Sequence, residues 1–177
     1  MNKKIAKKKG NELEKEIAKI ARKNKFKVIK NSYIGFKSNG KQKYTEVDII
    51  LISEKAIIVV ESKNYNATIK GNIEEKFIKA FYDNEKEYLI LNPLIQNETH
   101  IWAIKNFLNL QDKIEIKNLV VTSNETKIEL ELDKEVENII KINDLNEYLK
   151  TINNKENTLT EAKTNSYYNK LIKRENS

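Results

Sequence analysis

The stretch "YTEVDIILISEKAIIVVESK", residues 44–63, decides how the chain is read. Each half carries an unbroken apolar run, Ile49 to Ile52 and Ala56 to Val60. Continuous runs rich in β-branched residues belong to strands buried on both faces, and the polar Ser53–Lys55 between them joins them as a hairpin. If Glu54 and Lys55 form a two-residue turn, Ser53 pairs with Ala56. That register sets Asp48 opposite Glu61 and Glu46 opposite Lys63, whereas a slip by one residue would separate the two carboxylates. Side chains alternate along a strand, so Glu61 and Lys63 share a face, as do Glu46 and Asp48. Opposed carboxylates at the mouth of an apolar sheet repel. A divalent cation between them removes the conflict, and Mg²⁺ or Mn²⁺ suits hard oxygen ligands supplemented by water. Lys63 would then hold a water or a substrate phosphate. The alternative is an ordinary strand end at which Glu46 pairs with Lys63.

Outward from the hairpin, the chain reads as alternating helices and strands. Leu13, Ile17, Ile20 and Ala21 recur at helical spacing and predict a helix over residues 11–23. Phe26–Ile29 is a short strand, and "KSNGKQK" (37–43) a polar loop. Beyond "NYNATIKGN" (64–72), strands are expected near Phe77–Tyr82 and Tyr88–Leu91, separated by the turn-forming "DNEK". Asn92-Pro93 marks a helix start, with Asn as N-cap and Pro at the first helical position. That helix runs to about Leu110, with Leu94, Ile101, Ile104 and Leu108 on its buried side and Trp102 in the core. Strands follow at 118–122, 127–132 and 138–142, then a short helix after Asp144. "TINNKEN" (151–157) reads as a linker to a loosely attached last helix, opened by the capping box Thr158-Leu159-Thr160-Glu161. Tyr167 and Tyr168 are expected to pack that helix. The fold class is α/β or α+β, a mixed β-sheet flanked by helices with a C-terminal helical appendage.

Composition narrows the chemistry. The 177 residues hold no cysteine and one histidine, which removes disulfides, thiolate-bound metals and a zinc site from consideration. No segment has the apolar length of a membrane span. "MNKKIAKKKG" lacks an apolar stretch behind its lysines and does not read as a secretory signal, so the cytoplasm is the expected compartment. The net charge of +7 is uneven: residues 1–43 carry 15 Lys/Arg against 3 Asp/Glu, and the remainder is net acidic. A basic N-terminal arm (1–9), through Lys3, Lys4, Lys7, Lys8 and Lys9, would contact the backbone of a nucleic acid without reading bases.

Asp48, twelve residues, then Glu61-x-Lys63 on adjacent strands resembles the PD-(D/E)xK nuclease superfamily, with Val47 where the name has proline. More narrowly, "GNELEKEI", "TEVDIILI", "IIVVESKN", "IKGN" and "NPLIQNETHIWAIKNFL" resemble the nuclease-related domain (NERD) family over about residues 10–110. The resemblance implies a restriction-endonuclease-like core in a nuclease-like domain over 10–150, followed by the linker and C-terminal helix of 151–177. It implies a Mg²⁺- or Mn²⁺-dependent endonuclease or other phosphodiesterase, with DNA the expected substrate and room for a homodimer. Asp48, Glu61 and Glu12 would be metal ligands, with the Ser62 carbonyl as a further one. Lys63 would stabilise the attacking hydroxide or the charge on phosphorus. Gln96 would face the site as a catalytic residue, and His100, one helical turn on, would support it together with Glu46. The competing function is a non-catalytic nucleic-acid-binding or regulatory module on the same fold.

Overall fold

The computed structural model describes residues 3–38, 40–83, 86–110, 114, 116–131 and 138–173, with side chains from Gly10 onward. In order the elements are α1 (Lys3–Lys23), β1 (Lys27–Ser38), β2 (Lys41–Ile52), β3 (Ile57–Lys63), β4 (Thr68–Asn72), β5 (Phe77–Phe81) and β6 (Glu87–Leu91). Then come α2 (Pro93–Leu108), β7 (Ile116–Thr122), β8 (Lys127–Glu131), β9 (Ile139–Lys141), α3 (Leu145–Asn153) and α4 (Glu161–Ile172). The strands form two sheets, ordered β1-β2-β3-β7-β9 and β6-β5-β4-β8. In the first, β1–β2 and β2–β3 are antiparallel while β3–β7 and β7–β9 are parallel, so the sheet is mixed as expected.

The central strands explain the layering. Ile49 to Ile52 and Ile57 to Val60 are all fully buried, because helices cover both faces of the five-stranded sheet. On one face Leu13, Ile17 and Ala21 of α1 and Leu145, Leu149 and Ile152 of α3 pack on Ile49, Leu51, Ile58 and Val60. On the other, Ala103, Ile104 and Leu108 of α2 and Leu171 of α4 pack on Ile50, Ile52, Ile57 and Val59. Burying each such side chain is worth about 1.5–3 kcal/mol against leaving it in water.

Several expectations are corrected. Helix α1 starts at Lys3 rather than at residue 11, because lysine is a good helix former and one glycine is tolerated. Its backbone thus takes in Lys3, Lys4, Lys7, Lys8 and Lys9, whose side chains lie outside the described residues. Strand β1 is 12 residues long instead of four, and pairs with β2 out to Ser38–Lys41, so the supposed loop of 37–43 is mostly strand. β4, read as part of a connection, is a strand, and it helps build a second sheet that the periodicity did not separate from the first. The supposed linker is partly α3, which continues through Asn153. The last helix is not loosely attached: Leu159 and Leu171 are buried, and Thr158 and Leu159 both donate backbone hydrogen bonds to Glu54 O at 2.9 Å. Thr160, not Thr158, caps α4, accepting from Lys163 N at 3.3 Å. Trp102 is 45% exposed, its ring edge-on to Phe36 at 5.1 Å.

The β1–β2 ladder contains a break that matters for the site. Its register is constant but skips the rung joining Asn31 to Asp48. Asn31 lies at φ +51°, in the left-handed region that Asn enters more readily than most residues. Both strands change the phase of their side chains there. Ile29 shares a core with Ile34 and Phe36, and Val47 with Ile50 and Ile52, although residues an odd number apart face opposite ways in a regular strand. The break leaves Asp48 off the β1 ladder and beside β3.

Candidate active site

Strands β2 and β3 pair from Ile52–Ile57 to Ile49–Val60 in the register expected of a Glu54-Lys55 turn, and then separate. Asp48 and Glu61 are the next residue on each strand. β3 stays anchored beyond that point on its other side, where Glu61, Ser62 and Lys63 pair with Val120, Val121 and Thr122 of β7. The Asp48 carboxylate fills the opening: Ser62 donates to Oδ2 from both its backbone N–H and its hydroxyl, each at 2.9 Å.

Glu61 is 2% exposed and centres a second set of contacts. Lys63, two residues along the same face of β3, brings Nζ to 2.6 Å from Glu61 Oε1 and donates to Gln96 Oε1 at 3.2 Å. His100, one turn beyond Gln96 on α2, places Nε2 3.3 Å from Glu61 Oε2, while its Nδ1 is 2.7 Å from Thr45 Oγ1. The approach of His100 to Glu61 is an ion-pair distance without hydrogen-bond alignment, and both atoms stay buried without a hydrogen-bond partner. We therefore read His100 as a close polar neighbour of Glu61, held by Thr45.

The two carboxyls are pushed in opposite directions. Burial first, then the Glu61 charge, raises Asp48 above its ordinary value against the Ser62 hydrogen bonds and Lys63. Burial also pushes Glu61 up, but His100 and Lys63 together outweigh it and leave Glu61 below its ordinary value. For Lys63, burial favours the neutral amine, yet Glu61 foremost and then Tyr65 hold the ammonium above its ordinary value.

The structure thus brings together Asp48, Glu61, Lys63, Gln96 and His100, and sets two other candidates apart. Glu46 is exposed and stands opposite Tyr33 on the β1–β2 ladder, and Lys63 pairs with its own strand neighbour Glu61 instead. Glu12 is exposed on α1. Two residues turn a helix by about 200°, and it is Glu14 that shares the sheet-facing side with Ile17, Ala18 and Ala21. Its side chain is 12% exposed, lies 3.5 Å from Lys30 Nζ, and keeps a buried Oε2 without a hydrogen-bond partner. The apolar stripe carried that phase already: Glu14 stands three and seven residues before Ile17 and Ala21.

Three contributors carried no sequence signal as site residues. Thr45 orients His100, as above. Asn97, fully buried, donates Nδ2 to Val59 O at 2.8 Å and to Asn118 Oδ1 at 2.9 Å, and Asn118 in turn donates to Leu94 O at 2.9 Å. This polar clamp ties the first turns of α2 to β3 and β7, and so fixes where Gln96 and His100 stand. No local pattern marks it, because Asn97 stands between the polar Gln96 and Glu98 and its partner Asn118 lies on a different element.

Among the described residues no three carboxylate or imidazole groups gather as a ready-made metal cage. No described helix is long and apolar enough to cross a membrane. The nuclease-related domain family model matches residues 9–123, well over half of the chain, from α1 through the end of β7. No curated protein and no solved structure matches the chain.

Proposed function

Because the chain belongs to the nuclease-related domain family, we propose that the opening between β2 and β3 is the active site of a metal-dependent phosphodiesterase acting on nucleic acid, with DNA the expected substrate. The observation that carries this reading is the placement of Asp48 and Glu61 as the next residue on each strand where the buried runs of β2 and β3 part, with the Lys63 ammonium beside Glu61.

The residues suit Mg²⁺ or Mn²⁺. Asp48 and Glu61 offer hard oxygen donors, Asp48 is raised first by burial and then by the charge of Glu61, and Glu61 Oε2 has no hydrogen-bond partner. Such ions bind through one or two carboxylates and complete their shell with water and phosphate, so a three-residue cage is not required. Asp48 and Glu61 would hold the ion, with the Ser62 carbonyl as a further donor. When bound, it would lower the pKa of a water and polarise the scissile phosphate.

The chain's own groups do the rest. Lys63 stays protonated and stabilises negative charge developing on the phosphate, which a fixed cation in a partly buried site does better than one in water. Gln96 holds the Lys63 ammonium through its side-chain oxygen. Ser62 orients Asp48, and His100, anchored on Thr45, borders Glu61. Of the two α1 carboxylates, Glu14 is placed for a supporting role and Glu12 is not. The lysines at positions 3, 4, 7, 8 and 9 would add sequence-independent backbone contacts.

The test is incubation with labelled linear duplex, circular duplex and single-stranded substrates in Mg²⁺ or Mn²⁺, beside Asp48→Ala prepared identically. Cleavage by the parent that disappears in the variant and in chelator is expected. No cleavage of any substrate, or equal cleavage by both proteins, overturns the proposal.

A further inference from the structure

The β1–β2 ribbon extends past the opening, and its two faces differ. Ladder partners share a face, so Ile34 with Thr45 and Phe36 with Lys43 lie on one side. That side is covered: Ile34 is fully buried, Thr45 meets His100, and Phe36 meets Trp102. Tyr33 with Glu46, Gly35 with Tyr44 and Lys37 with Gln42 lie on the other. On this uncovered side Tyr33 is 60% exposed and Tyr44 63% exposed.

The two tyrosines are diagonal neighbours, because the ladder partner of Tyr33 is Glu46, two residues from Tyr44. Diagonal neighbours lie about 7–8 Å apart. That is roughly twice the 3.4 Å rise of stacked bases, so one base can lie against both rings. Tyr33 and Glu46 are ladder partners, so the Tyr33 ring stands on a paired strand before any ligand arrives. Residues 33–46 hold three lysines, Lys37, Lys41 and Lys43, against the single acid Glu46. A second copy of the same ribbon would meet like charge, whereas a polyanion meets opposite charge.

From this geometry we infer that the outer face of the β1–β2 ribbon binds single-stranded nucleic acid, with Tyr33 and Tyr44 stacking on unpaired bases of the strand led to the site. The inference rests on the nuclease reading of Asp48 and Glu61, and deepens it by naming the form of substrate. Duplex bases hide their faces in their own stack; only unpaired bases can offer them to side-chain rings. Tyr44 precedes Asp48 by four residues on β2, about 13 Å at strand rise. A base held there keeps its strand on the ribbon that carries Asp48.

The experiment is equilibrium binding in chelator, where no metal-dependent cleavage occurs, using fluorescently labelled dT₂₀, U₂₀, a 20-base-pair duplex and a 20-unit abasic strand. The proteins are the parent, Tyr33→Ala, Tyr44→Ala and Tyr44→Phe. Each alanine variant is expected to bind dT₂₀ or U₂₀ on the order of 10-fold more weakly, with duplex and abasic binding changed less than twofold and Tyr44→Phe close to the parent. The two homopolymers separate DNA from RNA, and loss on either supports the platform. Alanine variants that bind both homopolymers as tightly as the parent overturn it, as does weakening that is equal on the duplex and the abasic strand. Because binding is read without turnover, a chain that stacks bases but never cuts would contradict the nuclease reading alone.

Discussion

At its turn the β2–β3 hairpin is sealed. Ser53 N donates to Ala56 O at 3.0 Å, and Thr158 and Leu159 bind the Glu54 carbonyl from outside. At its other end the same two strands part after Ile49–Val60, and side chains take over the work of the backbone ladder. Ser62 N–H, which has no β2 ladder partner there, donates to Asp48 instead. The sealed end is held by apolar contact and backbone hydrogen bonds, and the open end by charge. A strand pair can therefore be stable and reactive at once, provided that the two properties sit at opposite ends.

The comparison breaks most visibly in the shared apolar middle. Ile58→Ala should cost about 3–4 kcal/mol of stability through lost burial and the residual cavity. Urea melts should show a lower midpoint with an unchanged slope, while the folded fraction keeps its Mg²⁺ response. Loss of the metal response without loss of stability would mean that the middle and the open end are not separable.

At the open end Glu61→Gln should cost roughly 3 kcal/mol, because it leaves the Lys63 ammonium without its buried counter-charge. The pH dependence follows from the direction of the shift. A carboxyl held below its unfolded value stabilises the fold above that value and loses the contribution as pH falls through its lower folded pKa. The difference between parent and variant should thus be full at neutral pH and shrink below about pH 4, measured by denaturant melts across pH. A difference that persists to the most acidic conditions would assign the loss to packing.

The smallest effect belongs to the sealed end. Thr158→Ala removes a hydroxyl that donates to Lys55 O at 2.9 Å near the surface. It should cost about 0.5–1 kcal/mol and leave cleavage untouched. A change in cleavage rate would show that the two ends communicate.

What the sequence disclosed divides along the same line. The sealed end and the middle were legible because continuous apolar runs and a short polar turn mark a hairpin, and of the two registers open to it the ladder adopts that of the Glu54-Lys55 turn. Asn92 and Pro93 announced α2 by their capping chemistry alone. The long β1 strand was missed where Asn31 reverses the facing of its side chains, since alternation is the signal by which strands are read. The Asn39-Gly40 pair, a strong hairpin signal, was available as a substitute. Glu12 was named from the family resemblance, whereas the helical phase of Ile17 and Ala21 puts Glu14 on the sheet-facing side. The Asn97–Asn118 clamp and the role of Thr45 depend on contacts between distant segments, which no local pattern encodes. The second sheet escaped for a similar reason: β4 joins β8 across more than fifty residues.

The central claim is that ionised Asp48, buried beside the Glu61 charge, is held at a cost when no ion is present. A raised carboxyl favours its protonated form in the fold, so ionised Asp48 destabilises the protein at neutral pH, opposite in sign to Glu61. The most direct measurement is a thermal and denaturant melt of Asp48→Asn and the parent at neutral pH, each with chelator and with millimolar Mg²⁺. In chelator, Asp48→Asn should equal or exceed the parent by about 1 kcal/mol. Mg²⁺ should raise the melting temperature of the parent alone, since only a folded state that binds the ion gains from it. If Asp48→Asn melts well below the parent in chelator, or gains as much from Mg²⁺, Asp48 is a structural acceptor for Ser62 and the account of the site is wrong.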